Sequence, residues 1–453
     1  MRASQTTRNS SPLPSPMPCS NLGRPLSVQL ALASMPGPSS GASRSSDISE
    51  ASICTNNRIM RNPPMASDVS PPTRPATMLA IVMPGHHPWD GRGRIRISDK
   101  TLTGMIAYQE RWPGTVTMVT RGKLESSDSN LGLNWIDIDD LPFNVEVVEG
   151  FADSTSLRTA SVVMAPHTKE YEWLLDLDSK TVFYTENLSA DWAASELREA
   201  TGFILRLRLR LGWMRHERIR QRMARRADGL QCNGRAVWAA YGRSSRNALV
   251  YYDTRLELAH VQASEPRGSE TSTNGPSPLR IAFSGRYLPI KGPGYVIKVH
   301  ERLVDLGVAH HVSLIGAGPL EDELRARAGA GVEFLEPMEF ASQWTSHVRE
   351  NVDVMLLPHV LGDPSGTYLE AAGLGVPVVG FENAALSALV QEFGLGWTAP
   401  MGDVDGLASI IKRLSEDRAE LAAKASAGRK AMLSHHAAAE FDRRVAHLAA
   451  LAG

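Results

Sequence analysis

Leu279-Arg-Ile-Ala-Phe-Ser-Gly-Arg-Tyr-Leu-Pro-Ile-Lys-Gly292 is the stretch that decides the fold. Leu279–Ser284 is short and mostly apolar, and it reads as a buried strand. Gly285 and Gly292 bound the turn that follows. Gly294–Leu306 then reads as a helix, with Val296, Val299, Leu303 and Leu306 on one stripe. Downstream, apolar runs at Val312–Ile315, Val332–Leu335, Val352–Leu357 and Val376–Phe381 repeat the strand pattern. Asp403 is the expected N-cap of a helix carrying Leu407, Ile410, Ile411 and Leu414. Strands alternating with helices argue a parallel sheet with crossover helices.

Upstream the same rhythm is already present. Strands are expected at Met78–Met83, Val116–Val119, Val145–Val148, Ser161–Met164, Val182–Tyr184, Gly229–Cys232 and Leu249–Tyr252. Between the two series lies Gln262–Pro278, polar and rich in Gly, Pro, Ser and Thr, which reads as a linker. The fold class is therefore α/β, with two Rossmann-like domains facing a cleft. The expected domains are 78–260, a linker at 261–278, and 279–453. Ligands of open α/β sheets sit at the carboxyl ends of the strands.

Residues 1–77 differ in kind. They hold 16 Ser, 12 Pro and 7 Arg, with no Lys and no aromatic residue. Such a segment buries too little apolar surface to offset chain entropy and is expected to be disordered. A transit peptide, a regulatory tail and a mis-set start all fit it. The abrupt change at Met78-Leu-Ala-Ile-Val-Met83 favours a start at Met78.

Composition narrows the function. The 453 residues carry 48 Lys+Arg against 49 Asp+Glu, which excludes a uniformly basic nucleic-acid coat. No uncharged apolar run approaches the roughly 18 residues that cross a bilayer. Cys19, Cys54 and Cys232 make no disulfide framework and have no metal-ligand spacing, so a reducing, cytoplasmic compartment is the default.

Three segments carry chemistry. Arg286 and Lys291 stand at the end of the Leu279 strand, where a guanidinium fork and an ammonium suit a diphosphate. Leu314-Ile-Gly-Ala-Gly-Pro-Leu320 is a strand entering a Gly-rich turn, with Gly316 and Gly318 able to line a cleft. Leu357-Pro-His-Val-Leu-Gly-Asp-Pro-Ser-Gly-Thr-Tyr-Leu-Glu-Ala-Ala372 follows a strand and opens a helix. Its Asp363, Ser365, Gly366 and Thr367 supply a polar loop and a helix N-terminus suited to phosphate. Glu370, one turn in, suits ribose hydroxyls better than phosphate.

These motifs, in this order and followed by Gly375-Val-Pro-Val-Val379, resemble the group 1, family four retaining glycosyltransferases, which have the GT-B fold. The resemblance is specific over Leu279–Leu414 and looser over Met78–Tyr252. It implies a nucleoside-diphosphate sugar held by Gly285, Arg286, Lys291, Gly316, Gly318, Ser365, Gly366, Thr367 and Glu370. Glu370 matches the second acid of the family's Glu, seven residues, Glu signature. The first acid should fall at position 362, which is Gly362, with Asp363 beside it as the candidate replacement.

From the first half, His86 and His87 in the loop Pro84–Gly91 after the first strand, and Glu186 after the Val182 strand, are candidates near the transferred sugar. The candidate catalytic set is thus Asp363, Glu186 and His86. No metal and no cofactor beyond the nucleotide sugar are expected. The implied activity is transfer of a hexose to a hydroxyl of a glycan or lipid-linked acceptor in polysaccharide or glycoconjugate synthesis, with retention. The alternative is a catalytically silent nucleotide-sugar-binding homologue or partner of an active transferase.

Residues 202–228 carry nine Arg and two acids among Leu, Ile, Phe and Trp. This amphipathic, basic stretch suits peripheral contact with anionic lipid at the inner face of the membrane. No stacking platform accompanies it, so nucleic acid is not an expected partner.

Overall fold

A computed structural model of the chain describes residues 77–124, 134–265, 277–362 and 364–452. The N-terminal segment, most of the linker and Asp363 lie outside the described residues.

The first half runs β1 (Met78–Trp89), β2 (Arg94–Ile97), β3 (Thr115–Leu124), β4 (Asn134–Asp137), β5 (Asn144–Val148), β6 (Val162–Pro166), β7 (Lys180–Thr185), β8 (Gly229–Asn233) and β9 (Ala248–Tyr251). Among the described residues these form a nine-stranded sheet. Its parallel strands lie in the order β5-β3-β1-β6-β7-β8-β9. β1 is buried throughout Leu79–Val82 because helices cover both faces. Its side chains alternate: Ala80 and Val82 enter one core, Leu79 and Ile81 the other.

The second half runs β10 (Leu279–Ser284), β11 (His310–Ile315), β12 (Val332–Leu335), β13 (Val354–Leu356), β14 (Val378–Phe381) and β15 (Gly396–Ala399). Every pairing is parallel, in the order β12-β11-β10-β13-β14-β15. That is the doubly wound order 3-2-1-4-5-6, whose switch point lies between β10 and β13. Gly292 at φ +67 caps the helix Pro293–Asp305, and Pro293 occupies its first turn. Asp403 caps the helix Val404–Glu416 by accepting from the Gly406 amide.

Two features differ from expectation. Pro84–Gly91 is not a loop over most of its length. After a register shift between Val82 and His86, β1 continues beside β3, with His86 opposite Arg121 and Trp89 opposite Leu124. β2 and β4 then add an antiparallel pair at the Trp89 end. The last helix, Ala437–Ala449, packs beneath the first sheet. Its Val445 and Leu448 share a core with Leu79, Ile81 and Met164.

Candidate functional site

The switch point assembles from three loops. β10 ends at Ser284, and the loop to Gly292 is held against its neighbours by main-chain bonds. The Gly285 amide donates to the Ile315 carbonyl at 3.0 Å, and Tyr287 to Ala317 at 2.9 Å. On the other side, Val360 donates to Ile290 at 3.0 Å. Contact this close tolerates no side chains. A Cβ on Gly316 would lie 2.1 Å from the Gly285 carbonyl oxygen, and one on Gly318 2.7 Å from the Tyr287 nitrogen. Gly292 faces the Pro358 oxygen just as tightly. The loops carrying Gly285, Arg286, Lys291, Gly316 and Gly318 are thus brought to one edge, with Arg286 exposed.

The β13 loop leads to Ser365, the N-cap residue of the helix Gly366–Gly373. Ser365 makes no side-chain cap bond, and Ser365, Gly366 and Thr367 are half-buried at the helix start. Glu370 is buried on the same helix, 3% exposed. Its Oε1 accepts from Arg255 Nε at 3.1 Å and from the Arg255 amide at 3.4 Å, and its Oε2 accepts from Arg255 Nη2 at 3.4 Å. The guanidinium carbon of Arg255 also lies 3.9 Å from the Phe340 ring centroid. Phe340 stacks on Trp344, whose indole donates to Ser284 at the end of β10.

At the start of the helix Gly366–Gly373 a pocket runs between the two halves, and Gly285, Arg286, Lys291, Gly316 and Gly318 do not line it. Its walls include Glu186, Asn233 and Asp253 from the first half and Gly362, Ser365 and Leu369 from the second. Glu186, exposed just past β7, is therefore brought together with Ser365. Asp253 pairs with Lys100. Burial disfavours the Lys100 ammonium, but Asp253, then Glu186 and Glu370, outweigh it and raise its pKa. Beside them Arg444, from the last helix, lies 4.0 Å from the Tyr251 ring centroid and donates to Gln231 at 2.9 Å. Burial opposes its charge, yet Tyr108, Tyr251, Asp253 and Glu186 raise its pKa overall.

The histidines stand elsewhere. His86 is exposed beside Arg121 and does not line this pocket. Its pKa is lowered by burial, then by Arg121 and Lys123. His87 Nδ1 bonds Thr120 Oγ1 at 2.6 Å, and burial then His86 lower its pKa. Lys100, Asp191, Asp253, Arg255 and Arg444 were not singled out from sequence. They come from distant segments that only the topology brings together.

Residues 278–417 match the family model described as glycosyl transferases group 1. This part of the chain is similar to the group 1 glycosyltransferases. Among curated relatives, the amylovoran biosynthesis glycosyltransferase AmsK of Erwinia amylovora is 29% identical over 183 residues, covering 38% of this chain and 43% of AmsK. The phosphatidyl-myo-inositol mannosyltransferase of Mycolicibacterium smegmatis is 30% identical over 178 residues, covering 36% of this chain and 45% of that enzyme. The chain thus spans under half the length of the curated relatives it matches. The crystal structure of Anabaena HepE in complex with UDP superposes with a TM-score of 0.55 at 15% identity, covering 83% of this chain and 99% of HepE. The fold is GT-B, and the group 1 match falls on the half built around β10–β15.

Proposed function

We propose that the chain is a retaining glycosyltransferase that moves a hexose from a nucleoside-diphosphate sugar to a hydroxyl of a glycan or lipid-linked saccharide. The observation that carries this reading is the switch point between β10 and β13. There Arg286 is exposed, Lys291 follows in the same loop, and the helix Gly366–Gly373 begins on the adjoining one. A departing diphosphate needs positive charge and aimed N–H donors, and these three elements supply both without reorganising. With that charge in place, no metal is needed to neutralise the leaving group. Glu370, a carboxylate one turn further in, accepts the ribose hydroxyls.

Glu186 on the pocket wall is the first-half residue proposed nearest the transferred sugar, with Asp363 the acid from the second. Excluding water between the halves protects the donor from hydrolysis. The helix Phe203–Arg226 fits contact with anionic lipid at the inner membrane face, where lipid-linked acceptors reside. AmsK, named for amylovoran biosynthesis, supports a role in polysaccharide synthesis.

A second reading, a silent nucleotide-sugar-binding homologue, is favoured by Gly362, which has neither an acid side chain nor space for one beside Asp191.

The test is thermal stabilisation of the full chain by UDP, GDP and ADP sugars, followed by nucleotide release with and without membrane extract. The expected result is a shift with one donor, lost in Arg286→Ala and Glu370→Ala, and extract-dependent release. A shift without release supports the silent reading. No shift with any donor overturns the donor site.

A further inference from the structure

Glu370 is already occupied. A carboxylate offers about four lone-pair directions. Arg255 donates three times to this one, twice to Oε1 and once to Oε2. A ribose diol brings two donors and needs the same oxygens. The flat face next to the carboxylate is taken as well, because the Arg255 guanidinium lies 3.9 Å from the Phe340 ring centroid. An aromatic face beside a buried carboxylate is the pair of surfaces a nucleoside uses, one for the base and one for the sugar. Arg255 covers both with a planar cation.

The arginine is also able to leave. Its side chain is 50% exposed, while that of Glu370 is 4% exposed. It stands on the segment between β9 and the helix Leu258–Gln262, the crossover from one sheet to the other. Moving its side chain returns a guanidinium to water, while the Arg255 amide stays on Glu370 and the incoming ribose hydroxyls replace the lost donors to the buried carboxylate. Moving Glu370 instead would unpack a helix whose Tyr368, Leu369, Ala371 and Ala372 are buried. Gly366 adds to this constraint. A Cβ there would come within 3.2 Å of Glu370 Oε1 and 3.3 Å of the Asp253 carbonyl oxygen. The carboxylate is fixed and its cover is not.

We infer that Arg255 is a donor-site residue that covers the nucleoside seat on Glu370 and Phe340 and must be displaced for a nucleotide to enter. The inference rests on the donor-site reading above. It adds that nucleoside affinity is set partly by a competitor within the chain.

The experiment is calorimetric and stopped-flow binding of UDP, GDP and ADP, and of uridine, guanosine and adenosine, to the full chain. The variants are Arg255→Ala, Arg255→Lys and Phe340→Ala. Removing the competitor raises the free energy of the empty site only. Arg255→Ala is therefore expected to bind the matching nucleoside roughly three- to ten-fold more tightly, through faster association with unchanged dissociation. Arg255→Lys, which keeps the charge but loses the planar fork, is expected to fall between. Phe340→Ala is expected to weaken binding through faster dissociation. If the wild type binds a nucleotide and neither Arg255 variant gains affinity, the displacement is wrong while the donor site stands. If binding weakens through faster dissociation in Arg255→Ala, the arginine holds the bound nucleotide and the inference is also overturned. If no folded variant binds any nucleotide, the donor-site reading itself fails and this inference goes with it.

Discussion

A Cβ on Gly362 would lie 2.4 Å from Oδ2 of Asp191 and 3.1 Å from Cβ of Ala384. Asp191 belongs to the helix Ser189–Glu199 of the first half, and Gly362 to the loop leaving β13 in the second. The position where the family's first acid falls is therefore filled from across the cleft by a carboxylate of the other half.

Steric coupling of this kind is measurable. Gly362→Ala should destabilise by about 1–3 kcal/mol, the usual cost of overpacking. In the double variant with Asp191→Ala the cost should shrink, leaving a coupling of about 0.5–3 kcal/mol in a urea double-mutant cycle. Gly362→Glu meets the same obstacle and should be tolerated better with Asp191→Gly than alone. An additive cycle would show that the two residues do not meet.

The last helix makes a separate prediction. Leu448 is fully buried in the core that holds Leu79 and Ile81, although it lies beyond every strand of the second sheet. Leu448→Ala should cost about 2–5 kcal/mol. Hydrogen exchange should show the loss of protection first in β1, β6 and β7. Protection lost instead from β10 and β13 would assign the helix to the wrong half.

The strands were legible where both faces are covered. Leu279–Ser284 coincides with its expected bounds because a strand buried on both sides must be apolar at nearly every position. The continuation of β1 through His86 was not legible, since its polar residues pair at the end of the sheet where no core demands apolar side chains. The placement of Arg286, Lys291 and Ser365 at strand-to-helix turns was legible because the strand pattern alone locates those turns. Arg255 and Asp191 were not. Each meets its partner over a long sequence separation, 115 residues for Arg255 and Glu370, and nothing in the local pattern marks it.

Acid should act through His167. The ring is 2% exposed, stacked near Phe183 and edge-on to Tyr241, and its Nε2–H donates to the Arg220 carbonyl at 2.8 Å. Burial, then the Arg220 charge, push its pKa down to about 3 from an ordinary value of 6.5. Unfolded chains take up this proton below about pH 6.5 and the folded protein does not. The contribution to stability is therefore fully present above that pH and is lost progressively as pH falls toward 3. Melting temperature measured from pH 8 to 4 should drop along this limb, and His167→Gln should flatten it. An unchanged slope in the variant would place the acid sensitivity in other groups.

The helix Phe203–Arg226 predicts its own partner. Arg220, Met223 and Ala224 near its end are buried, whereas Phe203, Leu207, Leu211 and Met214, spaced by four, four and three, form an exposed stripe. Ile204 and Leu205 widen it at the start. Arg206, Arg208 and Arg210 flank the stripe and are exposed. Apolar exposure this dense is costly in water, and the arginines choose an anionic surface over a neutral one, at about 1 kcal/mol each. The full chain should sediment with vesicles containing phosphatidylglycerol and not with phosphatidylcholine alone. Replacing Phe203, Leu207 and Leu211 by Ser should abolish sedimentation without lowering the melting temperature, because none of the three enters a core. High salt should weaken binding but leave a residue of it, since the apolar term is not screened. Sedimentation equal in the wild type and the triple variant would remove this helix from the membrane.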